Sequence, residues 1–191
     1  MTAEELAALA QRARMGDPAA RQALLVELYG AVRKHVYLCV GSGALADDAV
    51  QETMIALHRG LAGFRGEASP KTWALAIATR TAHRLRRKES RYVPVEDGAV
   101  DRAVFDVGPT EAAELALLQH ALSSLAAKKR DAFVLMAIFE LSAEEAGRAL
   151  GTFANTAASR FRHARAELET RFREEFDEPV PVVATNKAQG R

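Results

Sequence analysis

One cysteine, Cys39, excludes an internal disulfide, and a reduced, cytoplasmic setting is the simplest reading. No apolar run approaches the ~20 residues that a membrane helix needs, so membrane insertion is not expected. The opening MTAEELAALAQRAR places acids before bases and lacks the apolar core of a secretory signal. β-Branched residues form a compact run only at PVPVV near the end, which leaves little from which to build a sheet. The net charge is only +1, so bulk charge selects no partner. No nucleophile–base pair and no glycine-rich phosphate loop is present, so neither enzymatic activity nor a cofactor is expected. His35 and Cys39 lie four apart and could share a metal on one helix face. Nothing nearby supplies two more ligands, and a packed cysteine with no metal is the expectation.

What is there favours helices. Apolar residues make up 49% of the chain, and Ala, Leu, Arg and Glu dominate. Asp17 reads as a helix N-cap with Pro18 at the first helical position. Leu24, Leu28, Val32, Val36 and Val40 then recur every four residues, with Leu25 and Tyr29 alongside, until GSG at 41–43. A second helix is expected from Asp47 or Asp48, carrying Val50, Met54, Leu57 and Leu61 on one face. A loop at 64–71 precedes a third helix from about Thr72 to Ser90. Further helices are expected at about 111–126, 128–140, 142–150 and 155–175.

The charge is uneven. From Arg80 to Arg91 six basic residues face one acid, and from Tyr92 to Glu114 six acids face one base. The basic cluster suits a phosphate backbone. The acidic stretch has no periodicity and reads as a flexible linker over 92–110 between domains at 1–91 and 111–176, with a disordered tail at 177–191. In the second domain, Ser142 and Glu145 form a capping box, a short helix stops at Gly151, and a basic helix follows. That order is the helix-turn-helix pattern, whose second helix enters the major groove. Arg162 and His163 reach for base edges, while Ser159, Arg160 and Arg165 suit phosphates. An antiparallel helix hairpin with a solvated basic face fits the same pattern. A stand-alone helix-turn-helix regulator, needing no polymerase, is the alternative function; a protein–protein module with basic docking faces is a third.

DDAVQETMIALHRGLAGFRGEASPKTW with its following basic helix, together with ALSSLAAKKRDAFVLMAIFELSAEEAGRALGTFANTAASRFRHARAEL, resembles a bacterial RNA polymerase sigma factor of the extracytoplasmic-function group, within the sigma-70 family. The resemblance covers about 1–90 and 112–172. It implies an all-α protein whose two small domains are the region 2 helical bundle and the region 4 helix-turn-helix. It implies a promoter-specificity subunit that binds core RNA polymerase, reads −35 and −10 elements and helps to open DNA. Asp47, Asp48, Gln51 and Glu52 would then dock on the clamp helices of the β′ subunit, with the β subunit as a further contact. Phe64, Arg65, Gly66, Glu67, Ser69, Lys71, Thr72 and Trp73 would hold a flipped −10 base, and Arg80, Arg84, Arg87 and Lys88 its single strand. Trp73 has two readings, a stack on the base or packing against a neighbouring helix, and the first turn of a helix favours packing. Thr156, Ser159, Arg160, Arg162, His163 and Arg165 would contact −35 duplex. The family also implies an anti-sigma inhibitor, which nothing in this sequence identifies. A linker of about 20 residues could extend over roughly 66 Å at ~3.3 Å each, enough to join two DNA-binding domains.

The sequence departs from the family at several points. Arg80 stands where Asn is usual and Arg84 where Asp is usual. Asn155-Thr156-Ala157-Ala158-Ser159-Arg160 replaces the common G-T-V-K-S-R, so Ala158 lacks a basic side chain near DNA. Ala146-Gly147 replaces Ile-Ala, which is expected to loosen the first helix of the motif. An unusual promoter preference, or weaker −35 binding, is the expected consequence.

Overall fold

A computed structural model describes residues 1–89 and 109–176. The expected linker, save its last two residues, and the expected tail lie outside the described residues. Among the described residues the regular elements are all helical.

Helix α1 (Ala3–Arg14) begins with a capping box in which the Thr2 hydroxyl accepts from Glu5 N at 3.2 Å and the Glu5 carboxylate accepts from Thr2 N at 2.7 Å. The T-x-x-E spacing of Thr2 and Glu5 is the sequence signal for this start. Helix α2 (Pro18–Val40) starts as expected, with the Asp17 carboxylate accepting from Ala20 N at 3.0 Å and from Arg12 at 2.7 Å. Its row Leu24, Leu28, Val32 and Val36 is buried. Helix α3 (Ala44–Gly60) begins one turn earlier than expected, because Gly43 at φ 98° turns the chain without a side-chain cap. A 3₁₀ turn (Leu61–Gly63) leads to the loop and to α4 (Pro70–Glu89). Helix α4 also starts early: Ser69 Oγ accepts from Thr72 N at 3.0 Å and Pro70 fills the first helical position.

The second half holds α5 (Pro109–Ser123), α6 (Ala127–Phe133) continued by a π-helical turn (Val134–Ile138), α7 (Ala143–Leu150) and α8 (Ala154–Phe176). The expected capping box is present, with Ser142 Oγ accepting from Glu145 N at 3.2 Å and the Glu145 carboxylate from Ser142 N at 3.0 Å. Gly151 at φ 62° closes α7 in the left-handed conformation. Gly147 does not loosen this motif. A Cβ there would lie 3.0 Å from both Ala154 N and Thr152 O, so glycine is what lets the turn close on α7. Its helix-propensity cost, ~1 kcal/mol, is the cost of that close approach.

The two halves do not sit apart. Helix α4 packs along α7, and α2 along α5. One core lies within the first half, around Leu24, Leu28, Leu57, Leu61 and Phe64. A second core is shared: Tyr37, Leu38, Cys39 and Leu75 meet Leu115, Leu122, Leu135, Phe139 and Ala146. The buried Arg130 crosses this junction, donating to Cys39 O at 2.8 Å, Leu125 O at 3.1 Å and Ser123 O at 3.2 Å. Beside it His83 Nε2 and Asp131 Oδ2 are 2.6 Å apart.

His35 is fully buried at the same level. The Thr79 hydroxyl donates to Leu75 O at 2.9 Å, so His35 Nε2 at 2.8 Å must be the donor to it. At Nδ1 the Cys39 sulfur, 4.0 Å away, offers an added proton only a weak acceptor. Burial accordingly lowers the His35 pKa from 6.5 to about 4, against the opposing pull of Asp131. The unfolded chain therefore binds a proton that the fold refuses between these values. Stability is complete above about pH 6.5 and falls as pH drops towards 4. Urea unfolding should show about 2 kcal/mol lost from this group between pH 7 and pH 5. His35→Gln, which keeps a donor for Thr79, should flatten that part of the profile; an unchanged slope would assign the loss elsewhere.

Candidate nucleic-acid interface

Three surfaces carry the predicted site residues. On α3, Asp47, Asp48 and Gln51 are exposed. Glu52 is half-exposed and ion-paired with Arg84 of α4, so the structure joins a residue assigned to polymerase docking with one assigned to DNA. Next to Asp47 and Gln51 a groove of about 750 Å³ runs between α2 and α3, lined also by Tyr29, Met54 and Ile55. Tyr29 and Ile55 each remain 43% exposed. The sequence reading placed Tyr29 beside the core row and did not select Ile55, although Ile55 lies off the Val50–Met54–Leu57–Leu61 row.

The second surface is the loop before α4. Arg65, Gly66 and Glu67 are exposed, and Gly66 at φ 76° needs glycine. Phe64 is buried and packs on Trp73, with ring centroids 5.0 Å apart. Trp73 is partly buried against the first core, which is the packing reading. Its remaining surface lines a cavity of about 290 Å³ with Gly66, Ala68, Ala76 and Arg80. Arg148 and Ala149 of α7 form the far wall of that cavity.

Three loop residues are engaged in ways the sequence did not suggest. The Ser69 hydroxyl caps α4 and lies 2.8 Å from the Thr72 hydroxyl. The buried Thr72 hydroxyl in turn donates to Glu145 of α7 at 3.3 Å. Ser69 therefore has its proton and one lone pair engaged here. The Lys71 ammonium sits 5.3 Å from the Phe139 ring centre, at the junction between the halves. Beyond the loop, Arg80, Arg84, Arg87 and Lys88 are exposed along α4, with Arg87 Nε donating to His83 O at 3.3 Å.

The third surface is α8. Ala157, Ala164 and Leu168 are buried on one side. At 3.6 residues per turn, Ser159 and Arg162 point to the opposite side. Thr156 and His163 flank them, and Arg160 lies next to the buried row. Arg162 and His163 are exposed, whereas Thr156, Ser159 and Arg160 are half-buried. Arg165 is exposed and paired with Glu169 at 2.7 Å.

These features define a two-part helical protein with a helix-turn-helix and a second basic helix beside a loop cavity. Residues 24–92 match the family model described as Sigma-70 region 2, and residues 115–168 that described as Sigma-70, region 4. The RNA polymerase sigma factor NccH of Alcaligenes xylosoxydans xylosoxydans is 31% identical over 172 residues, covering 84% of this chain and 91% of that protein. The ECF RNA polymerase sigma factor SigM of Mycobacterium tuberculosis is 35% identical over 127 residues, 64% of this chain; the match spans 62% of the length of SigM. CnrH, solved in complex with the cytosolic domain of CnrY, shares the fold with a TM-score of 0.68 and 23% identity over 88% of this chain and 97% of that one. The sigma factor RpoE from Bartonella quintana, solved with the anti-sigma factor NepR, gives 0.67 and 24% over 80% and 96%. The chain belongs to the sigma-70 family of bacterial RNA polymerase sigma factors, in its extracytoplasmic-function group.

The cap assignment of Ser69 is testable by stability alone. Ser69→Ala should lower the unfolding free energy by about 1 kcal/mol, and Ser69→Asp, which can still cap, should lose much less. Equal losses in urea titrations of the two variants would contradict the cap.

Proposed function

We propose that this chain is a promoter-specificity subunit of RNA polymerase. The α3 face with its groove docks on the β′ clamp helices. The loop cavity and α4 take the −10 element, and α8 takes the −35 element. The observation that supports this best is the cavity at Trp73, open to solvent and edged by the basic α4. A stand-alone helix-turn-helix regulator needs neither that cavity nor the α3 groove. The role requires no catalysis by the chain, and among the described residues no helix is long and apolar enough to cross a membrane.

The packed arrangement is the resting form in this reading. Arg148 and Ala149 line the loop cavity, so α7 narrows the way in for a flipped base. The two promoter elements are separated by more than one helical turn of duplex, ~34 Å, whereas α4 here packs against α7, the helix that precedes the −35 reader α8. Docking on the polymerase thus separates the halves. An anti-sigma protein of the kind that holds the Bartonella quintana relative would act by covering these surfaces.

Paired substitutions on α3 test the reading. Asp48→Lys with Gln51→Lys changes only exposed side chains, so stability should stay within about 0.5 kcal/mol. Affinity for core polymerase should fall tenfold or more, equivalent to ~1.4 kcal/mol, and run-off transcription should fall with it. Arg162→Ala should leave core affinity intact and reduce promoter use. Parent-like core binding by the α3 variant would overturn the docking surface. Tight duplex binding by the parent alone, with no transcript from core polymerase, would favour the stand-alone regulator.

A further inference from the structure

Phe153 breaks two local rules at once. It is the N-cap of α8, its carbonyl accepting from Ala157 N at 3.1 Å and from Thr156 N at 3.0 Å. Helices α1, α2, α4 and α7 carry Thr2, Asp17, Ser69 and Ser142 at this position, each accepting a backbone N–H through its side chain. Phenylalanine has no acceptor to offer, and Ser, Thr, Asp and Asn are strongly preferred here. Nor does the ring pack: it is 84% exposed, more than any other aromatic side chain among the exposed large hydrophobics. The ring instead borders an open cavity of about 360 Å³ with Gly147, Arg148, Gly151 and Thr152. A residue that serves neither capping nor packing is expected at a functional position.

Asn155 follows two residues later and is exposed. Positions 155, 159 and 162 are spaced i, i+4 and i+7, so Asn155 heads the outward row of Ser159 and Arg162, opposite Ala157 and Ala164. Ala158 beside it is small and leaves the approach open. The N-terminal residues of the second helix are those that reach base edges in a helix-turn-helix. An asparagine side chain there pairs with adenine N6 and N7 through two hydrogen bonds, and a phenylalanine ring makes apolar contact with the thymine methyl.

We propose that Phe153 and Asn155 are base-reading residues that select an A·T pair within the −35 element, Asn155 on adenine and Phe153 on a thymine methyl. This rests on the reading that α8 enters the major groove of the −35 duplex. It assigns specificity to two residues outside the basic set, and it accounts for an α8 that manages without a basic side chain at position 158.

The test uses the full chain bound to core polymerase and a pool of duplexes randomised across the −35 window upstream of a fixed −10 sequence. The parent should enrich an A·T pair at one position, and Asn155→Ala should weaken that preference roughly tenfold. Replacing the selected thymine by uracil removes only the methyl group and should weaken parent binding about fourfold, the worth of one buried methyl. Phe153→Ser should bind the thymine and uracil duplexes equally, while its thermal midpoint stays level or rises because serine caps the helix. A flat pool with the parent would overturn both this proposal and the −35 role of α8. A parent preference left intact by both variants, or a Phe153→Ser loss that is equal on both duplexes with the parent's uracil penalty retained, would overturn this proposal alone.

Discussion

The arrangement of the whole molecule depends on where Arg130 puts its guanidinium. It is buried and donates to carbonyls on both sides of the junction, including Cys39 O at the end of α2, Ser123 O at the end of α5 and Leu125 O just beyond it. A buried hydrogen bond to a charged group is worth about 1.5–3 kcal/mol, more than the usual neutral bond. The carbonyls it serves lie at helix ends, where no intrahelical donor exists. One side chain thereby finishes two helices and fixes their relation. Asp131, the next residue, reaches His83 of α4 and adds a second polar tie in the same place.

Around this joint the polar contacts form a chain of helix caps. Ser69 caps α4 and contacts Thr72; Thr72 donates to Glu145; Glu145 accepts from the Ser142 amide and completes the cap of α7. The Ser142 amide is also the main reason that the Glu145 carboxyl is held below the usual carboxylate range. The N-termini of α4 and α7 are thus tied through the groups that start them. The tie is partly exposed, and the apolar contact beside it is shared with polar groups. Interfaces of this mixed kind permit relative domain motion. The loop cavity at Trp73 sits at that seam, so its accessibility is governed by the same contacts.

Periodicity made much of this legible. The every-four row of α2, the Asp17–Pro18 start and the Ser142–Glu145 capping box each name a local rule that the fold obeys. Patterns of this kind say that a face is buried, not against what. Leu38, Cys39 and Leu75 lie on helices of the first half, yet they bury against the second half. The loop carries two signals at once. Gly, Ser and Pro before a helix suit both a base pocket and a helix start, and Ser69 proved to be a cap. Phe64 and Thr72 were selected for DNA and are buried, because an aromatic or a hydroxyl in a motif carries no mark of its exposure. Gly147 depends on one backbone contact, between α7 and the turn after it, that no residue pattern encodes.

The central claim is that the packed form must open for promoter binding. Dyes on Gln22→Cys and Lys128→Cys, both at exposed positions on opposite halves, would report the separation by energy transfer. Cys39 stays unlabelled, since it is buried and burial raises its thiol pKa. The account predicts one short distance in the chain alone and a distance longer by roughly 10 Å or more with core polymerase and promoter, as readers of elements ~34 Å apart require. An unchanged distance in a complex that transcribes would contradict it.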